Sequence, residues 1–140
     1  MAPVELEFSQ LAIGMTAESE LSWSAADLET FRALTGDDAP IHHDRAFAER
    51  VGMQDVIVFG LLVVAPFSRM LGCELPGALS TIQSLRVDFA QPTFLDVPLL
   101  YRVTVTQLSA ATRSAVLELS ITMRDGALVV RGRAQCGLAQ

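Results

Sequence analysis

The chain has 140 residues, of which 51% are apolar and 19% charged, and a formal net charge of −6. A chain of this size and apolarity suits one domain around one sizeable core, spanning residues 1–140, and excludes a disordered segment. The acidic balance disfavours broad binding to nucleic acid, which needs a basic surface, although a few placed Arg side chains or backbone N–H groups can still hold a small anion.

Met1 to Phe8 carries Glu5 and Glu7 and lacks a basic region followed by an apolar run, so it does not read as a secretory signal. A first strand is predicted over Met15 to Trp23. Ser24 followed by Asp27 forms a capping-box pattern that opens a helix through Leu28, Phe31 and Leu34, and Gly36 ends it. A second short helix begins at Asp44, covers Ala46 to Arg50 and stops at Gly52. Val56 to Phe67 is the most apolar stretch. It is too short to cross a bilayer and contains Gly60 and Pro66, so it reads as a buried core helix, apolar nearly all round after Gly60 and open to a kink at Pro66.

After Pro76-Gly77 the apolar period changes to two. Leu85, Val87 and Phe89 alternate with polar residues, as do Tyr101, Val103 and Val105, then Ala115 to Met123, then Leu128 to Cys136. Asp125-Gly126 is a two-residue hairpin signal between the last two strands. Strands joined by short turns pair antiparallel, and several of them with one greasy helix predict an α+β fold: a curved antiparallel sheet wrapped around a central apolar helix. Such a sheet has exposed edges, which predicts a homodimer paired edge to edge with its sites near the interface. Cys73 and Cys136 lie far apart, form no ligand-like pair, and read as reduced thiols of a cytoplasmic protein.

The informative segment for chemistry is Phe31 to Ala48. A helix ends at Gly36, Asp37 and Asp38 follow in a loop, Pro40 stiffens the backbone, and His42 comes five residues after Asp37. A carboxylate and an imidazole on one rigid loop can converge on one water or one substrate proton, the minimum equipment for acid–base work near neutral pH. The same spacing also fits a solvated Asp beside a surface His. His42-His43-Asp44 suggests a metal only superficially, because adjacent side chains point apart and no second cluster exists.

Phe31, Leu34, Thr35, Gly36, Asp37, Pro40, Ile41, His42 and Ala48 together resemble the signature of the MaoC-like, or hydratase 2, family. The resemblance continues through Val56 to Leu61, Leu75-Pro76-Gly77 and Phe89-Ala90-Gln91-Pro92, and spans roughly residues 15–138. It implies a hotdog fold and an (R)-specific enoyl-CoA hydratase or 3-hydroxyacyl-thioester dehydratase. The implied substrate is an acyl thioester on CoA or acyl carrier protein, with no cofactor, metal, nucleic acid or membrane. It further implies that Asp37 and His42 hold the water added to C3, and that the Gly60 N–H binds the thioester carbonyl.

Two residues depart from the family pattern. Ala39 stands where an Asn is usual, removing a side chain that could brace the loop, and Phe59 stands where a His usually precedes the helix glycine. The bulkier apolar surface of Phe59 is expected beside the thioester, favouring a substrate with apolar bulk near its carbonyl. Ser68 and Leu71 are candidates to line the acyl pocket, with ordinary packing as the alternative. Arg69, Arg86 and Arg102 are candidates for a CoA phosphate, with solvation or ion pairing as the alternative. Two other functions fit the fold. A hotdog thioesterase commonly places an acidic residue on the central helix, and none occurs between Val56 and Cys73; a non-catalytic acyl-binding hotdog is kept open by Ala39 and Phe59.

Overall fold

The computed structural model describes residues 2–139, so the first and last residues of the expected domain lie outside the described residues. In chain order the elements are β1 (Thr16–Leu21), α1 (Ala25–Thr35), α2 (Arg45–Arg50), α3 (Gly60–Val64), α4 (Pro66–Cys73), β2 (Ser80–Phe89), β3 (Leu99–Ser109), β4 (Ser114–Met123) and β5 (Leu128–Leu138), with 3-10 turns at Phe8–Gln10 and Pro40–His42. The strands form one five-stranded antiparallel sheet in the order β1-β3-β4-β5-β2. Register shifts at Ile82/Ser84, Val105/Gln107 and Ile121/Thr122 mark bulge-like irregularities, which bend strands and raise their twist.

One face of the sheet supplies the core. Tyr101, Val103 and Val105 of β3, Leu117, Leu119 and Ile121 of β4, and Val130, Ala134 and Cys136 of β5 are fully buried. They cluster with Val63, Val64, Phe67, Met70 and Leu71 of α3 and α4. The Tyr101 hydroxyl donates to the Val63 carbonyl at 2.7 Å and accepts from the Trp23 indole N–H at 3.1 Å, tying sheet to helix at a buried point. Burial pushes the Tyr101 phenol up to about 12, against a smaller lowering by Trp23, and pushes the Cys136 thiol up to about 11.

Five local expectations change. The central helix starts at Gly60 rather than Val56; residues 56–59 are extended, and Ile57 pairs with Phe94 as an isolated bridge. The helical stretch is also divided in two, because Pro66 has no N–H to give to the preceding turn and begins α4 instead. Nor is it apolar all round in burial, since Leu61 is 71% exposed. In α1 the Ser24–Asp27 capping box forms as expected and Gly36 ends the helix at φ 72, but Leu34 is 82% exposed. A step of six residues stops a third of a turn short of its starting face, so Leu34 leaves the stripe that buries Leu28. At the last hairpin Met123 N–H donates to the Ala127 carbonyl and Gly126 N–H to the Met123 carbonyl, each at 2.9 Å, so the loop has three residues, 124–126, rather than two. Gly126 takes the left-handed position (φ 89) that such a loop requires.

Among the described residues no helix is long and apolar enough to cross a membrane.

Candidate active site

The left-handed turn at Gly36 releases the chain from α1 into residues 37–44. Asp37 then organises its own loop. Its N–H donates to Thr35 Oγ1 at 3.2 Å, and its Oδ1 accepts from the Ala39 N–H at 3.1 Å, an Asx turn. Pro40 opens the 3-10 turn, the His42 N–H donates to the Ala39 carbonyl at 3.1 Å, and the Asp44 N–H donates to the Pro40 carbonyl at 2.8 Å. Asp44 finally caps α2 through the Phe47 N–H at 3.1 Å. The bracing expected of an Asn at position 39 is therefore provided by Asp37 and by the backbone. Asp38 and His43 are engaged with each other, His43 Nε2 lying 3.3 Å from Asp38 Oδ1, and Arg32 pairs with Asp38 as well.

His42 is held from two sides. Its Nδ1 lies 2.8 Å from the Ile57 carbonyl. A carbonyl can only accept, so Nδ1 carries the proton and the neutral ring keeps its lone pair on Nε2. The face of the ring stacks on Phe59, with centroids 4.0 Å apart and planes 29° from parallel, and Phe59 in turn meets Phe31 at 4.7 Å. The Ile57 N–H returns a bond to the Ile41 carbonyl at 3.2 Å, and the Val58 N–H donates to the Thr93 carbonyl at 2.9 Å. The loop after α1, the extended 56–59 segment and the chain after β2 are thus laced together by backbone bonds.

Gly60 begins α3 directly after this lacing. It stands in the wall of an apolar cavity of about 360 Å³, with Ile57, Val63, Phe89, Thr93 and Val129. A side chain at residue 60 would put its Cβ 3.3 Å from two atoms of the Phe89 ring, tight enough to require the ring to move. Gly60 is therefore placed in the cavity wall, and His42 is attached to that wall through Ile57. Asp37 and His42 do not themselves line the cavity; both lie on the adjoining loop.

Phe59 is not where the sequence led us to expect it. It is 2% exposed, under the His42 ring and inside the core, so it cannot offer apolar bulk to a substrate in this cavity. Ser68 is exposed and Leu71 fully buried, and neither lines the cavity. All three candidate arginines are paired: Arg69 with Glu74 at 3.3 Å, Arg86 with Asp88 at 3.3 Å and Arg102 with Glu18 at 3.0 Å. Sequence reasoning missed Thr93, which is 5% exposed with a hydroxyl that meets no partner among the described residues. The only signal for it was its place directly after the Phe89 to Pro92 motif. A second hollow of about 340 Å³, among Arg86, Asp88, Glu118, Arg131 and Arg133, includes none of Asp37, His42 and Gly60. Among the described residues no three His, Cys, Asp or Glu side chains gather as a metal cluster.

Comparison with known proteins matches residues 9–123 to the MaoC like domain. The chain belongs to the MaoC-like dehydratase family. It is 35% identical over 124 residues to the (R)-specific enoyl-CoA hydratase of Aeromonas caviae, covering 89% of this chain and 92% of that one. It is 30% identical to the 3-hydroxybutyryl-CoA dehydratase of Methylorubrum extorquens, covering 86% of this chain and 76% of the relative. The solved structure of the A. caviae (R)-hydratase involved in PHA biosynthesis superposes with a TM-score of 0.87 at 34% identity, over 92% of this chain and 98% of that one. The fold is thus the hotdog of these MaoC-like hydratases, and the chain is a hydro-lyase.

Proposed function

We propose that the protein adds water reversibly across the C2–C3 double bond of a trans-2-enoyl thioester, giving the (R)-3-hydroxyacyl thioester. The observation that carries the proposal is the Ile57 carbonyl, which pins His42 with its Nε2 lone pair free and belongs to the same cavity wall as Gly60. The acyl chain occupies the apolar cavity whose wall includes Gly60 and Phe89. The thioester oxygen, on which negative charge builds as water adds at C3, is met by the Gly60 N–H. Asp37 and His42 hold the water between them: one takes its proton as its oxygen bonds C3, and the other delivers a proton to C2. Dehydration is the same path reversed. No step transfers electrons, and Asp37, His42 and the Gly60 N–H supply the acid, the base and the oxyanion donor, which supports a reaction without cofactor or metal.

The A. caviae relative is named for enoyl-CoA, and the M. extorquens relative for 3-hydroxybutyryl-CoA; we extend a CoA or acyl-carrier-protein thioester to this chain. The same reading makes the working unit a homodimer. Its support is β2, an edge strand whose Ile82, Leu85 and Phe89 remain exposed in one chain. A cytoplasmic setting suits the two free cysteines, Cys73 and Cys136.

The test is absorbance of an enoyl-thioester substrate with the protein added. Loss of the conjugated enoyl band without release of free thiol, and an (R) product on chiral analysis, are the expected results. Release of free thiol would make the protein a thioesterase, and an (S) product would reject the stereochemical assignment.

A further inference from the structure

The aromatic ring under His42 takes no part in the proposed proton transfers. We propose that Phe59 is a positioning residue: a flat, immobile platform that fixes the plane of the His42 imidazole and so the direction of its Nε2. The inference rests on the proposed Asp37–His42 chemistry and names the residue on which the geometry of that pair depends.

The single hydrogen bond from Nδ1–H to the Ile57 carbonyl anchors one atom of the ring. A carbonyl accepts over a broad range of directions, so this bond alone leaves the ring room to rock about its Cβ–Cγ bond, carrying Nε2 with it. Stacking on Phe59 at 4.0 Å and 29° removes that freedom, since any rocking drives one edge of the imidazole into the phenyl face. The platform does not yield, because Phe59 is 2% exposed and backed by Phe31 at 4.7 Å. A leucine or methionine would fill nearly the same volume but present no plane.

Phe59 also controls the other half of the site. Its carbonyl accepts from the Val63 N–H at 2.9 Å. In a trans peptide the C=O and the following N–H point in opposite directions, so fixing the Phe59 carbonyl toward Val63 aims the Gly60 N–H away from the helix. One residue therefore registers the imidazole plane, through its side chain, to the Gly60 N–H, through its backbone. Errors of about 1 Å in such a registration cost up to about 100-fold in rate.

The experiment compares wild type, Phe59→Leu, Phe59→Met, Phe59→His and His42→Ala on one good enoyl-thioester, with thermal unfolding of each. Phe59→Leu and Phe59→Met are expected to lower kcat about tenfold with KM changed by less than about twofold, the split for a group that acts on the reacting geometry rather than on binding. Phe59→His, which restores a flat ring, is expected to stay within about threefold of wild-type kcat. In NMR spectra the carbon-bound ring protons of His42 should be shifted upfield by the phenyl ring in wild type and lose that shift in the Leu variant. Wild-type kcat in the folded Leu or Met variant overturns the proposal. So does a His variant as slow as they are, or a wild-type spectrum without the upfield shift should the aliphatic variants fail to fold. Full turnover in His42→Ala would instead sink the underlying reading, whereas a dead His42→Ala beside an unimpaired Phe59→Leu sinks only this inference.

Discussion

In β5, Val129, Val130, Ala134 and Cys136 are at most 1% exposed, whereas in the adjoining β2 Ile82, Leu85 and Phe89 stay 43%, 46% and 50% exposed. Both strands alternate apolar and polar residues, and they are hydrogen bonded to each other along most of their length. The difference is position. β5 lies inside the sheet with its apolar face in the same core cluster as α3 and α4, while β2 forms the sheet edge. The rim loop 37–42 is open like β2: its residues are exposed or half-buried, placed by hydrogen bonds and, at His42, by the stack on Phe59. Closed regions of the molecule should therefore govern its stability, and open ones, together with Phe59 beneath His42, its chemistry and assembly.

The sharpest test on the closed side is Leu119→Ala, at a position fully buried between β3 and β5. It should lower unfolding free energy by about 2–5 kcal/mol while leaving kcat of the folded fraction unchanged, as read from urea titrations beside steady-state rates. On the open side, Asp37→Asn and His42→Ala should each lower kcat about 100-fold with urea midpoints near wild type. The double variant should cost little beyond the worse single one, because the two groups act as a unit; additive losses would separate their roles. Leu85→Arg puts a charge into the exposed apolar row of β2. It should convert a dimeric mass to a monomeric one in light scattering, and a wild type that is itself monomeric at micromolar concentration would remove β2 as the dimer edge.

The closed region also sets an alkaline limit. Tyr101 and Cys136 have folded pKa values raised from 10.0 to about 12 and from 9.0 to about 11, both chiefly by burial of the neutral form. A raised folded pKa means that the unfolded chain releases the proton first. The stability held by these groups is whole below pH 9 and is lost as pH climbs from 9 through 12. Urea midpoints should fall across that window, and a Tyr101→Phe/Cys136→Ala protein should start lower but lose the slope. The smallest effect belongs to Thr93, whose buried hydroxyl meets no partner among the described residues. Thr93→Val should raise stability by up to about 1 kcal/mol, with activity unchanged if the hydroxyl serves only packing. A drop in kcat/KM would show that it contacts the substrate.

The strands, the capping box at Ser24 and the stop at Gly36 were legible because each depends on neighbours in sequence. The Asp37–His42 loop and Gly60 were legible through their resemblance to a family signature. What escaped was everything decided across the fold. Phe59 read as a pocket residue because its neighbour Gly60 is one, yet successive residues point different ways, and this one turns inward to His42 and Phe31. Leu34 joined the apolar spacing of α1, but a step of six residues stops short of the face that buries Leu28. Thr93 could not be found at all, since a hydroxyl without a partner is defined by what fails to approach it.

The bond between Trp23 and Tyr101 has a practical use. The chain contains one tryptophan and one tyrosine, and the two are joined by a hydrogen bond across 78 positions of sequence. Apart from the weak emission of phenylalanine, the intrinsic ultraviolet emission of the protein thus comes from a single donor–acceptor couple seated where sheet, helix and the approach to α1 converge. Indole emission compared between excitation where both rings absorb and excitation at the red edge, where only the indole does, gives a label-free gauge of that junction during refolding. Its signal is confined to one place in the molecule, and no dye or engineered cysteine is needed to obtain it.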